Sequence, residues 1–124
     1  MPHVRLLETR VAETPAATMR TYASPSTPVG ADIAVWRTEM PAGATGPLHA
    51  IDTDQVVVVL EGDLSAEVDG RSCQVPVGDS LVLPARSQRR LTAGATGLVT
   101  LTASTPGARA RVGDADPVVV PWAR

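Results

Sequence analysis

The chain has 124 residues, of which 44% are hydrophobic and 19% charged, and a formal net charge of -2; that is material for one globular domain and no second. Every strongly basic residue is arginine and none of them cluster into a basic block, so the usual electrostatic footprint of nucleic-acid binding is missing. A lone cysteine, Cys73, excludes an intramolecular disulfide and any CxxC centre, and no apolar run reaches the length of a bilayer, which makes a soluble, cytoplasmic protein the expectation.

In chain order, Val4 to Glu13 fits either a strand or one amphipathic helical face built from Leu6, Leu7, Arg10 and Val11, with the strand preferred. Thr14 to Gly30 carries three prolines and many small polar residues, and reads as an irregular connector with room for one short strand. Ala31 to Met40 alternates, placing Ala34, Trp36, Thr38 and Met40 on one face until Pro41 and Gly43 break the pattern. The β-branched run Gln55 to Leu60 is too short for a stable helix and is expected to be a strand buried on both faces, closed by a turn at Glu61-Gly62-Asp63.

Leu64 to Asp69 and Arg71 to Val75 flank Asp69-Gly70, a hairpin signal because a tight primed turn needs positive φ at its centre. Asp79 to Leu83, Arg89 to Ala93 and Gly97 to Ala103 supply three more strands, punctuated by Pro84 and Gly94. Thr105 to Asp116 reads as loop, and the apolar tail Pro117 to Trp122 must cover its own barrel wall or a neighbouring subunit. The pattern is that of an all-β antiparallel sandwich or barrel, with no internal repeat.

The turn residues fall at fixed intervals. Gly43, His49, Ile51, Gln55 and Gly62 form one series; Gly78, Pro84, Arg89 and Ala93 form another, opened by Pro76-Val77-Gly78-Asp79. Without insertion or deletion, this spacing resembles the two motifs of the cupin superfamily, G-x5-H-x-H-x3-E-x6-G and G-x5-P-x4-H-x3-N. The resemblance runs from Ala31 to about Ala103 and agrees in register with the strands read independently. It implies a cupin-type antiparallel β-barrel (a double-stranded β-helix, or jelly roll): a single domain over residues 1–124, its barrel core at about 31–103 and an extension at each end.

In metal-binding cupins the two histidines and the glutamate of the first motif converge on one cation with the histidine of the second. Here His49 alone is kept, while Ile51, Gln55 and Arg89 stand at the other three positions. Ile51 offers no lone pair and Arg89 brings a fixed positive charge, so loss of the inherited metal site is expected, and no cofactor motif is visible. Asp52 and Asp54 have ligand-like spacing to His49 and define an alternative, metal-dependent reading. Strand parity turns Asp52 outward and favours both as solvated acids capping the turn.

With the resemblance as guide, His49, Gln55 and Arg89 face the barrel interior. His49 is the candidate general base, Arg89 the group that holds a carboxylate or developing enolate, and Gln55 the group that orients a carbonyl or hydroxyl. That set suits metal-independent isomerisation, cyclisation or dehydration of a small oxygenated metabolite, as in small cupins of secondary-metabolite pathways. Arg89 and Arg90 have opposite parity, and the motif register puts position 89 inward. Trp36, Met40 and Ile51 are expected to line the wall.

Blander roles compete: His49 as an ordinary interior residue, Arg89 as a rim charge beside Arg86 and Arg90, Gln55 as a buried amide satisfying backbone. A noncatalytic ligand-binding protein, a sensor or carrier, is the rival function. The expected partners are a small molecule and a second copy of the chain, the homodimer forming through the apolar ends Val4 to Val11 and Pro117 to Trp122, with neither nucleic acid nor membrane.

Overall fold

The computed structural model describes residues 2–124 and contains ten strands. They are β1 (Arg10–Glu13), β2 (Thr18–Ala23), β3 (Ala34–Met40), β4 (His49–Ile51), β5 (Gln55–Val68), β6 (Arg71–Val75), β7 (Ser80–Leu83), β8 (Gln88–Ser104), β9 (Arg109–Arg111) and β10 (Val118–Val119). Single 3-10 turns occupy Leu6–Glu8 and Pro121–Ala123. All strand pairs are antiparallel, and the sheet order is β1-β2-β3-β8-β4-β9-β10, with β5 pairing β6, β7 and β8. No helix is long and apolar enough to cross a membrane among the described residues.

The sheet is curled by its two longest strands. Residues 98–104 of β8 lie between β3 and residues 55–62 of β5, whereas residues 88–93 lie between β4 and residues 64–68 of β5. The two strands thus belong to both walls of the jelly roll, and they change wall at bulges, where the register shifts between Val59 and Glu61 and again between Gly62 and Leu64. Gly62 makes the bend possible: its φ is 79°, and a Cβ there would stand 2.0 Å from the Gly97 carbonyl oxygen.

Several sequence expectations are corrected by this architecture. Glu61-Gly62-Asp63 is no turn, because β5 passes through it with a bulge, and the two strands expected at 89–93 and 97–103 are one continuous β8. Thr14 to Gly30 does hold the one strand for which it had room, β2, six residues long and paired on both sides; Thr105 to Asp116, expected as loop, contains β9, which bridges β4 and β10. The start of the chain folds as a 3-10 turn followed by the short β1.

The Gln55 run is buried on one face only. Gln55, Val57 and Val59 point inward, while Val56 and Leu60 are 41% and 38% exposed, because alternate side chains of a strand on a two-walled barrel must take opposite sides. The Asp69-Gly70 hairpin forms as expected, both residues having positive φ (48° and 79°).

Two apolar clusters fill the interior. One joins Met40, Val57, Val59, Leu64, Leu83 and Leu98; the other joins Met19, Ala34, Trp36, Ile51, Val120 and Ala123. Each fully buried leucine or valine contributes about 1.5–3 kcal/mol relative to exposure. The C-terminal tail therefore covers its own barrel through Val120 and Ala123, the first of the two alternatives left by the sequence.

Candidate functional site

His49 opens β4 and faces Arg89, its direct partner in the antiparallel ladder of β8. Residues opposed in this way share a face of the sheet, so the imidazole and the guanidinium project to the same side. Arg89 is 1% exposed and Arg90, its neighbour of opposite parity, is exposed and lies within ion-pair distance of Glu67. Gln55, at the start of β5, is buried and its Oε1 accepts a hydrogen bond from Arg89 Nη1 at 3.3 Å. Arg89 is thus tied to His49 through the ladder and to Gln55 through a side-chain bond, and no side-chain hydrogen bond joins His49 to either among the described residues.

Neutral oxygens hold the buried cation. Arg89 Nε donates to the Ser87 carbonyl at 2.9 Å, and Nη2 donates to the Pro84 carbonyl at 2.9 Å and to Ser87 Oγ at 2.9 Å. Among the described residues Arg89 enters no ion pair. Burial pushes its guanidinium below the ordinary range, and the charge of Asp69 offsets part of that. A cation held in this way, without a carboxylate partner, favours an anion beside it.

His49 Nδ1 lies 2.8 Å from the Pro47 carbonyl. A carbonyl only accepts, so this contact puts the proton on Nδ1 and leaves Nε2 with its lone pair. Burial lowers the pKa of the half-buried ring below its ordinary value; the Pro47 bond acts in the opposite direction, and the charge of Arg89 lowers it further. The neutral, Nε2-basic imidazole is therefore the favoured form near neutrality.

Trp36 and Ile51 are buried together in one apolar cluster, but Met40 belongs to the other, and it lines an open cleft with Pro41, Ala42 and Leu98. A second cleft, about 160 Å³ in volume, lies near the N-terminus between Arg10, Tyr22 and Pro28. Cys73 packs half-buried against the first cluster.

The positions that carry metal ligands elsewhere in the fold do not fit a divalent cation. Ile51 has no donor atom, Gln55 Oε1 is engaged by Arg89, and the guanidinium would repel the ion. The nearby carboxylates are also engaged. Asp52 accepts from the Arg109 backbone N–H at 2.8 Å and from Arg109 Nε at 3.0 Å; Asp54 accepts from the Ala85 N–H at 2.7 Å. The Arg109 contacts, led by the backbone bond, hold the Asp52 carboxyl below its usual range. No group of three or more His, Cys, Asp or Glu that could hold a metal ion occurs among the described residues.

Sequence reasoning missed Ser87 and the Pro84 carbonyl, which lock Arg89, and a polar row on the inner face of β8. Thr100, Thr102 and Ser104 are buried there, in register with Val59, Val57 and Gln55. The row had a visible signal, since hydroxyls recur at every second position on the strand face that also carries Leu98.

Known proteins share this architecture. The polyketide cyclase RemF from Streptomyces resistomycificus is similar at a TM-score of 0.71 and 22% identity, over 85% of this chain and 79% of that one. An RmlC-like cupin from Shewanella frigidimarina gives 0.67 and 21%, over 81% and 86% of the two chains. KdgF from Halomonas sp. gives 0.70 and 21%, over 83% and 91%. At such identities the likeness is one of fold. No curated protein matches the sequence. The sequence profile of the cupin domain matches residues 36–102, more than half of the chain, and the protein therefore belongs to the cupin family.

Proposed function

We propose that the barrel binds a small carbonyl- or carboxylate-containing metabolite and moves a proton beside its carbonyl without a metal, the chemistry of an isomerase, cyclase or dehydratase. One observation carries the reading: a buried guanidinium held only by neutral oxygens stands directly across the ladder from an imidazole with a free Nε2. In the proposed step His49 Nε2 takes the proton from the carbon next to the carbonyl. The C–H pair becomes the C=C bond and the carbonyl π pair moves to oxygen, where Arg89 and Gln55 stabilise the growing charge. Return of the proton to another atom isomerises the substrate; attack by the enolate carbon on a second carbonyl cyclises it, the imidazolium protonating the new alkoxide; and a β-hydroxyl that takes the imidazolium proton leaves as water and dehydrates it. The polyketide cyclase among the fold neighbours is in keeping with this class.

Deuterium uptake from D2O into pyruvate and hydroxyacetone, followed by proton NMR, tests the step. The wild-type protein should accelerate exchange, and His49→Ala should lower the acceleration about a hundredfold or more. Arg89→Lys should lower it while the melting temperature shows the fold intact. Equal exchange by wild type and His49→Ala would sink the assignment of the base. Binding without exchange would favour the sensor or carrier reading, which the locked, buried Arg89 also suits. Stoichiometric metal in untagged protein would overturn the metal-free part of the proposal.

A further inference from the structure

We propose that Gln55 and Arg89 form a two-donor cradle for a single anionic oxygen, so that the barrel selects enolates and phenolates over carboxylates, an assignment that rests on the barrel being the ligand site. A guanidinium carries five N–H groups. Four of those of Arg89 are engaged: Nε by the Ser87 carbonyl, both N–H groups of Nη2 by the Pro84 carbonyl and Ser87 Oγ, and one N–H of Nη1 by Gln55 Oε1. One N–H on Nη1 remains. Bidentate capture of a carboxylate needs parallel N–H groups on two nitrogens, and Nε and Nη2 have none to give.

The same bond sets the orientation of Gln55. Because Oε1 accepts from Arg89, the amide nitrogen is the end left to donate, and among the described residues it donates to nothing. The free amide N–H and the last Nη1 N–H belong to the two partners of one hydrogen bond of 3.3 Å, with the proposed place of the anionic oxygen between them. Burial sharpens the choice. Arg89 and Gln55 are 1% and 7% exposed, so the second oxygen of a carboxylate would lose its water with no donor to replace it. An enolate or phenolate offers a single anionic oxygen, its remaining charge lying on carbon or the ring, and leaves no such orphan.

The test is the matched pair 4-nitrophenolate and 4-nitrobenzoate, used at a pH where both are anions on the same ring. Binding to the full chain is read from the ring signals of His49, which His49→Ala distinguishes from those of His3. The wild-type protein should bind the phenolate about tenfold more tightly. Ser87→Ala, which returns one N–H to Nη2, should shift the preference toward the benzoate, with the melting temperature as the check on folding. Benzoate binding as tight as phenolate in the wild-type protein would overturn the cradle and leave the acid-base reading standing. If neither anion moves the His49 signals, both fall.

Discussion

His49 titrates in a window that the carboxylates leave clear. Its pKa is held below 6.5 in the fold, chiefly by burial, so on acidification the unfolded chain takes up the proton first. Stability is therefore unaffected above the unfolded value and is lost as pH falls through the interval down to the folded one. Glu39 and Asp52, also depressed, act only below 4.5 and 3.8; for Glu39 the bonds from Arg37 and Arg20 outweigh the opposing effect of burial. Urea midpoints between about pH 7 and about pH 5 should fall for the wild-type protein and flatten for His49→Gln. Proton-transfer activity should rise with pH over the same interval and then level off, since the base must be neutral. Arg89→Met removes a buried charge but strands the Ser87, Pro84 and Gln55 acceptors. A loss of about 2–4 kcal/mol by urea denaturation is expected. The motif register was enough to read Arg89 as inward from the sequence, but not the oxygens that lock it, because two of them are backbone carbonyls with no side-chain signature. Met40 shares its parity with Trp36, but parity gives the face and not the position along it; four residues of strand span about 13 Å, enough to reach a different cluster.

The bent strands explain which elements were legible. β3 and the Asp69-Gly70 hairpin follow plain alternation and turn chemistry, so the sequence and the structure agree on them. β5 and β8 look broken in the sequence because glycine normally ends a strand, whereas at a barrel corner it lets the strand bend without ending. The bounds of β2 are not readable in the sequence, because its inward residues, Met19 and Thr21, alternate with Thr18 and Arg20 at low hydrophobic contrast. Two glycines of equal φ separate conformation from contact. Gly62 and Gly70 both have φ of 79°, but a Cβ meets the Gly97 carbonyl at the first and nothing within 4 Å at the second. Gly70→Ala should cost about 1–2 kcal/mol. Gly62→Ala should cost more than about 4 kcal/mol or prevent folding, as measured by urea denaturation or by the yield of folded protein.

The outer face of the molecule bears on assembly. Val120 and Ala123 are buried in their own barrel, but Val118 of the same tail is 66% exposed, as Leu7 (92%) and Val11 (48%) are at the other end of the chain. Val56 and Val82, paired across β5 and β7, are 41% and 62% exposed. The homodimer expected from the sequence pairs through the apolar ends, Val4 to Val11 and Pro117 to Trp122, and not through this second face. Sedimentation at micromolar concentration should give a dimer, and Leu7→Glu with Val118→Glu a folded monomer; a monomeric wild-type protein removes the expectation. The shared strand β8 also has a consequence for biosynthesis. It is the hydrogen-bonding neighbour of β3, β4 and β5, yet all three precede it in the chain. A ribosome releases β3, β4 and β5 before their shared partner exists, with the valine run 56–59 on a strand whose long edge is still open. Contacts so distant in sequence make closure slow. The nascent polypeptide is thus most prone to aggregate, and most in need of a chaperone, in the interval just before β8 emerges.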